Sequence, residues 1–298
     1  MRDYQIILMH KAVAPITHME RTEGNEAILR TFPLRWQRQN YEVPYLSGNA
    51  MRHVMIREPG WRWLINQYGL AGKLSRKMTD AMLSGGSVSE STRDDNLGRT
   101  HRGYEALPLF RMLGGALPDE IIGGRTEAGQ ALLVCREALP TLRGLLPDGW
   151  ITNDDEAAGA AEFIKPYQYY RHDATKDHPD RDRAEKDSSM PFGGNCVVPG
   201  SVFAQRIVCR DCDEQHIGAV VHAIEQWNGI AGGQKARGHG ILSSSYQLMT
   251  IGGEAIESGP LIESYEQYAI DHRQQAIDWL FDEAFRETKP EGVADATG

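Results

Sequence analysis

Gly232-Gly233-Gln234-Lys235-Ala236-Arg237-Gly238-His239-Gly240 decides how the rest of this sequence is read. Four glycines remove Cβ from a short connection, so the backbone can take positive φ and approach a ligand closely. Lys235, Arg237 and His239 alternate with them, which sets cationic donors along bare backbone. That pattern suits a sugar-phosphate chain, although a glycine-rich turn with incidental charges reads the same way.

The flanks of this loop place it in a fold. Upstream, Ile217, Val220, Val221, Ile224 and Trp227 recur at helical spacing, and Asp211 and Asp213 stand ready to cap that helix. Downstream, Ile241 to Met249 reads as a strand. Near the N-terminus Tyr4 to Val13 is a core strand, Thr17 to Glu26 a polar acidic loop and Ala27 to Trp36 a second strand. Ser47 is a candidate N-cap for a helix from Gly48, which puts Met51, Val54 and Met55 on one face and Asn49, Arg52 and His53 on another. A second helical stretch runs from about Trp61 to Met82, Cys196 to Val208 is a strand broken at Pro199-Gly200, and a last helix spans Ile262 to Phe285. Strand, glycine-entry helix, strands, helix, glycine loop and strand arrange as an α+β fold, an elaborated ferredoxin-like (RRM-like) domain.

The net charge of −9 argues at first against a polyanionic partner. Its distribution removes the objection, because residues 254–298 hold eleven carboxylates against three cations and carry −8 of that total. The body is near neutral and has room for a basic face. No apolar run approaches the roughly 18 residues of a membrane span, and Met1 to Gln5 reads as strand rather than signal peptide, so a cytoplasmic protein is expected. Four cysteines do not make a disulfide framework. Cys209-Arg210-Asp211-Cys212 has half the spacing of a zinc site but lacks a second close pair, so ordinary thiols, no metal and no cofactor are expected.

Two polar stretches, at about 84–106 and 153–194, read as insertions into one domain. The first carries Arg93, Arg99, His101 and Arg102; the second is entered through Lys165-Pro166-Tyr167-Gln168-Tyr169-Tyr170-Arg171, where cations interleave with aromatics. Stacking on bases and packing of a strand edge both fit that segment.

Separated motifs then carry a resemblance. Pro44-Tyr45-Leu46-Ser47-Gly48-Asn49-Ala50-Met51-Arg52 resembles the proline/serine-glycine/arginine helix entry of the CRISPR-associated RAMP superfamily. Leu109-Phe110-Arg111-Met112-Leu113-Gly114-Gly115 resembles its leucine–phenylalanine–glycine segment, and Pro199-Gly200-Ser201-Val202-Phe203 with the loop at 232–240 resembles its C-terminal half. Within that superfamily the chain is most similar to the backbone (family-seven) subunit of class 1 complexes, in its type IV version. The resemblance covers residues 4–250 and implies a palm domain over 1–253, with finger and thumb insertions, followed by an acidic helical extension and tail at 254–298.

What the resemblance implies is a subunit that polymerises head to tail along a CRISPR RNA. It holds that guide for pairing with a complementary target, DNA rather than RNA, beside other effector subunits. RNA contacts are then expected from Ser47, Asn49, Arg52 and His53, from Gly233, Gln234, Lys235, Arg237 and His239, from Arg93, Arg99 and Arg102, and from Lys165 and Tyr167. RNA-cleaving type III relatives place an aspartate in the loop after the first strand. Here that loop offers only Glu20, Glu23 and Glu26, so a binding subunit without a catalytic residue is expected. The alternatives are a type III-like subunit that cuts target RNA with an acid of the 18–26 loop, or a RAMP endoribonuclease that processes the precursor, in which a lone His18 would have to serve as base.

Overall fold

A computed structural model describes residues 1–23, 26–84, 96–114, 125–151, 158–170 and 191–290. In chain order the strands are β1 (Arg2–Ala12), β2 (Met19–Glu23), β3 (Glu26–Leu29), β4 (Thr31–Trp36), β5 (Gln39–Leu46), β6 (Thr126–Ala128), β7 (Ala131–Leu133), β8 (Ile164–Tyr170), β9 (Pro191–Val197), β10 (Val202–Cys212), β11 (Leu242–Thr250) and β12 (Ala255–Ile256). The main sheet runs β12-β11-β1-β10-β7-β5-β4, with β6 also on β10. Its four central strands, β11-β1-β10-β7, are antiparallel neighbours. The helical run that starts at Gly48 lies between β1 and β7 in the chain, after the interposed strands β2–β5, and the helix Glu214–Glu225 joins β10 to β11, which gives the ferredoxin-like order.

Burial explains the central strand. Ile6, Ile7 and Leu8 of β1 are each fully shielded; successive side chains face opposite sides of the sheet, so both faces of this central strand are covered. His10 on the same strand is also fully buried. It is satisfied by a polar relay, with Ser244 Oγ at 2.7 Å from Nδ1 and Gln205 Oε1 at 3.1 Å from Nε2, while Gln205 in turn donates to the Gly129 carbonyl.

The helix Glu214–Glu225 is capped by Asp213, whose Oδ1 accepts from His216 N at 3.0 Å. It is buried on more than one side, because the helix Gly259–Asp271 packs against it. Gly218 permits this approach: a Cβ there would lie 2.4 Å from the Leu261 carbonyl oxygen. Tyr265, Ala276, Ile277, Trp279, Leu280 and Phe281 belong to the same hydrophobic core as β1, so the break at residue 253 is one of charge and not of packing.

Several elements differ from the sequence reading. The loop expected at 17–26 contains the exposed strand β2, which pairs with β3, and the strand expected at 27–36 is split into β3, with Ala27 and Leu29 buried, and β4. Gln39–Leu46 is a strand paired with β4 through a turn in which Gln37 and Arg38 both have positive φ. The stretch read as helix from Trp61 to Met82 is interrupted, helical to Gln67 and again over Arg76–Ser84, and Cys196–Val208 is divided between β9 and β10. β2, β3, β9 and β8 form a second, four-stranded sheet. No helix among the described residues is long and apolar enough to cross a membrane.

Candidate nucleic-acid interface

The loop at 231–240 is held in place by the residues that follow β1. Gly233 N donates to the Thr17 carbonyl, Thr17 Oγ1 returns a bond to the Gly233 carbonyl at 2.9 Å, and Gly240 N donates to the Pro15 carbonyl at 2.8 Å. Gly232 and Gly240 have positive φ and no space for a side chain; a Cβ would lie 2.5 Å from Thr17 O and 2.2 Å from Ala231 O, respectively. Between these anchors Lys235–Arg237 form a single 3-10 turn, entered through Gln234 in the left-handed region (φ 59°) and left through Gly238. The anchors are shielded and the turn is exposed. Lys235, Ala236 and Arg237 therefore face solvent on a fixed platform.

Thr17 also connects the loop to the helix entry. Its neighbour His18 accepts the Ser47 backbone N–H at Nε2 (3.2 Å), and Ser47 Oγ accepts from Ala50 N. Gly48 makes that entry tight, since a Cβ would lie 2.0 Å from the Ala128 carbonyl oxygen. Burial, followed by the nearby Arg30, pushes His18 down to about 4, so its ring is neutral and its Nε2 lone pair is committed to the backbone. His53, one turn further along, is lowered by burial, with Glu58 opposing and Arg57 and Lys235 assisting.

The second sheet supplies the remaining wall. Arg237 Cζ lies over the Tyr169 ring, 3.5 Å from its centroid, and the guanidinium also donates to the Gln234 side chain. Tyr167 meets His239 edge-on at 5.2 Å, and Tyr169 stacks on Phe192 at 5.5 Å. Lys165 stands two residues before Tyr167 on the same face of β8 and is exposed. His239 is lowered by burial and then by Arg237.

Of the residues singled out from sequence, Ser47, His53, Gly233, Gln234, Lys235, Arg237, His239, Lys165 and Tyr167 come together here. Asn49 is exposed at the same helix entry, whereas Arg52 turns back toward β6, with Nη1 3.5 Å from the Thr126 carbonyl. Arg99 and Arg102 do not join the site. Residues 96–106 are a helix, Asn96–Ala106, rather than a finger. Arg99 is buried and its carbonyl accepts from Trp279 Nε1, while Arg102 is bound by Glu283 at 2.8 Å. Arg93 lies outside the described residues, as do 171–190 of the second insertion. Thr17 and Arg30 were missed by sequence reasoning; one is an ordinary β-branched polar residue and the other an isolated arginine.

The remaining candidates have structural surroundings. Cys209 and Cys212 are buried, and burial raises both thiols, Cys212 to about 12. Glu20, Glu23 and Glu26 are all exposed, and Glu23 is engaged by Arg21 at 2.7 Å.

No family model matches the sequence, and no curated protein matches it. The structure does have a counterpart. It is similar to a chain of a structure described as a Type IV-B CRISPR complex, with a TM-score of 0.52 over 82% of this chain and 90% of that chain, at 14% sequence identity. The fold is therefore an α+β, elaborated ferredoxin-like domain, shared with a component of that assembly.

Proposed function

We propose that this chain is a non-catalytic subunit of a type IV-like CRISPR effector complex. In this reading it binds the CRISPR RNA, repeats head to tail along it and presents it for pairing, with DNA as the favoured target. One observation carries the reading. The glycine loop, the segment after β1, the helix entry at Ser47 and the aromatic strand β8 converge from distant parts of the sequence. They leave Lys235 and Arg237 exposed, and neither has an ion-pair partner among the described residues. Such a surface attracts phosphates without selecting bases, which is what a subunit that delegates sequence reading to a guide needs. Similarity of fold to a component of a Type IV-B CRISPR complex supports the same role.

The binding reading is favoured over cleavage by the state of the acid–base candidates. His18 has its lone pair committed to Ser47 N–H, and Glu20, Glu23 and Glu26 are exposed side chains on the paired strands β2 and β3. Sequencing the RNA that copurifies with the full chain tests the proposal; guides of uniform spacer-plus-repeat length are expected, and RNA of random origin would overturn it. Incubation with a labelled complementary RNA and a divalent metal should leave that RNA intact. Regularly spaced cuts that disappear when Glu20, Glu23 and Glu26 are changed to Gln would replace this reading with the cleaving one.

A further inference from the structure

Beyond Lys235 the cationic surface runs into a cleft of about 350 Å3 lined by Trp63, Trp227 and Pro59, with the amides of Asn66 and Gln226 and with Lys235 itself. Glu58 also lines it, but that carboxylate is engaged by Arg62 at 2.8 Å. Both indoles are half-buried and fixed from the protein side. Trp63 packs on the buried His222 with ring centroids 4.3 Å apart and on Tyr265 at 5.6 Å. Trp227 donates Nε1–H to the Ile230 carbonyl at 3.2 Å and meets the buried His10 edge-on at 5.9 Å.

Immobilised aromatic surfaces beside exposed amides and a lysine match the chemistry of an unpaired nucleobase. The rings offer stacking faces, the amides can bond the base edge, and the lysine meets the adjoining phosphate. An apolar side chain of another protein would fill the same space but leave the amides without partners. We propose that this cleft receives one unpaired nucleobase of the strand whose backbone crosses Lys235. The proposal rests on the RNA-binding reading above and adds a base-stacking subsite to it.

The test compares two labelled single-stranded RNAs of equal length, one carrying all its bases and one with abasic riboses at alternate positions. Each is titrated by anisotropy against the full chain at fixed salt. Wild type should bind the base-bearing RNA about tenfold more tightly. Trp227→Ala should erase that difference, whereas Lys235→Ala should weaken both complexes. Should Trp227→Ala fail to fold, the exposed pair Asn66→Ala and Gln226→Ala carries the test and should narrow the difference about threefold. Equal binding of both RNAs by wild type would overturn the cleft and leave the phosphate-binding surface standing. Binding of neither would overturn the RNA reading and this proposal with it. An undiminished preference in Trp227→Ala, together with altered self-association in sedimentation, would assign the cleft to a protein partner instead.

Discussion

Two arginine-bearing regions of this molecule look alike in sequence and differ in what their charges meet. Around the helix Asn96–Ala106 and the end of β10, guanidinium groups face carboxylates: Arg102 binds Glu283 at 2.8 Å, Arg111 binds Asp211 at 3.0 Å and Arg210 binds Asp3 at 3.1 Å. Around the glycine loop, Arg237 rests instead on the Tyr169 ring and the Gln234 amide. A carboxylate cancels the cation's field, whereas an aromatic face and an amide orient it and leave its charge intact. The lesson is that a cationic residue type says little about polyanion binding until its partner is known.

The largest expected effect breaks that contrast directly. The double change Lys235→Ala and Arg237→Ala should weaken binding of single-stranded RNA on the order of 100-fold, regardless of sequence. It should also flatten the salt dependence by about 0.7 per lost phosphate contact in a plot of log affinity against log salt. Loss confined to some sequences would mean that this face reads bases.

Acidification comes next. His10 and His18 are both pushed to about 4 in the folded protein, chiefly by burial, against an ordinary value of 6.5. The unfolded chain therefore binds protons first as pH falls. Stability is complete above about 6.5 and is lost between about 6.5 and 4, by on the order of 3 kcal/mol for each group over the whole window, of which about 1–2 kcal/mol falls between pH 7 and pH 5. Urea titrations at pH 7 and pH 5 measure it, and His18→Gln should remove part of the difference. An unchanged midpoint would show that neither imidazole is held neutral.

A third effect concerns the carboxylate-rich side. Gly103→Ala would place a Cβ 2.3 Å from the Trp279 ring and should cost about 1–3 kcal/mol in thermal or urea unfolding, without altering RNA affinity at temperatures where the chain stays folded. The smallest is Arg102→Ala, which removes a half-exposed ion pair; it should cost at most about 1 kcal/mol and leave the salt slope of RNA binding untouched. A changed slope would return Arg102 to the interface.

Local patterns made parts of this fold legible. The helix around Ile217–Ile224 and the strand around Ile6–Leu8 follow from spacing alone, and Ser47 and Asp213 cap the helices that their positions suggest. The hairpin β4–β5 was hidden because its turn uses Gln37 and Arg38 at positive φ, where glycine or asparagine would have announced it. The helix Asn96–Ala106 showed no apolar period partly because Gly103 is there to accept Trp279, a partner far away in the chain. For the candidate site, the glycine loop was readable because its residue types are unusual. Its supports were not, because Thr17 and Arg30 acquire their roles only through contacts between segments.

The bonds between Thr17 and Gly233 have a consequence for synthesis. They join positions 216 residues apart, and the strand that completes the central sheet, β11, comes later still. A nascent chain cannot close this contact until residue 233 has emerged from the ribosome, since so distant a closure waits on everything between. A copy cut short before residue 233 would thus lack the fixed position of the Lys235–Arg237 turn, whatever that turn holds.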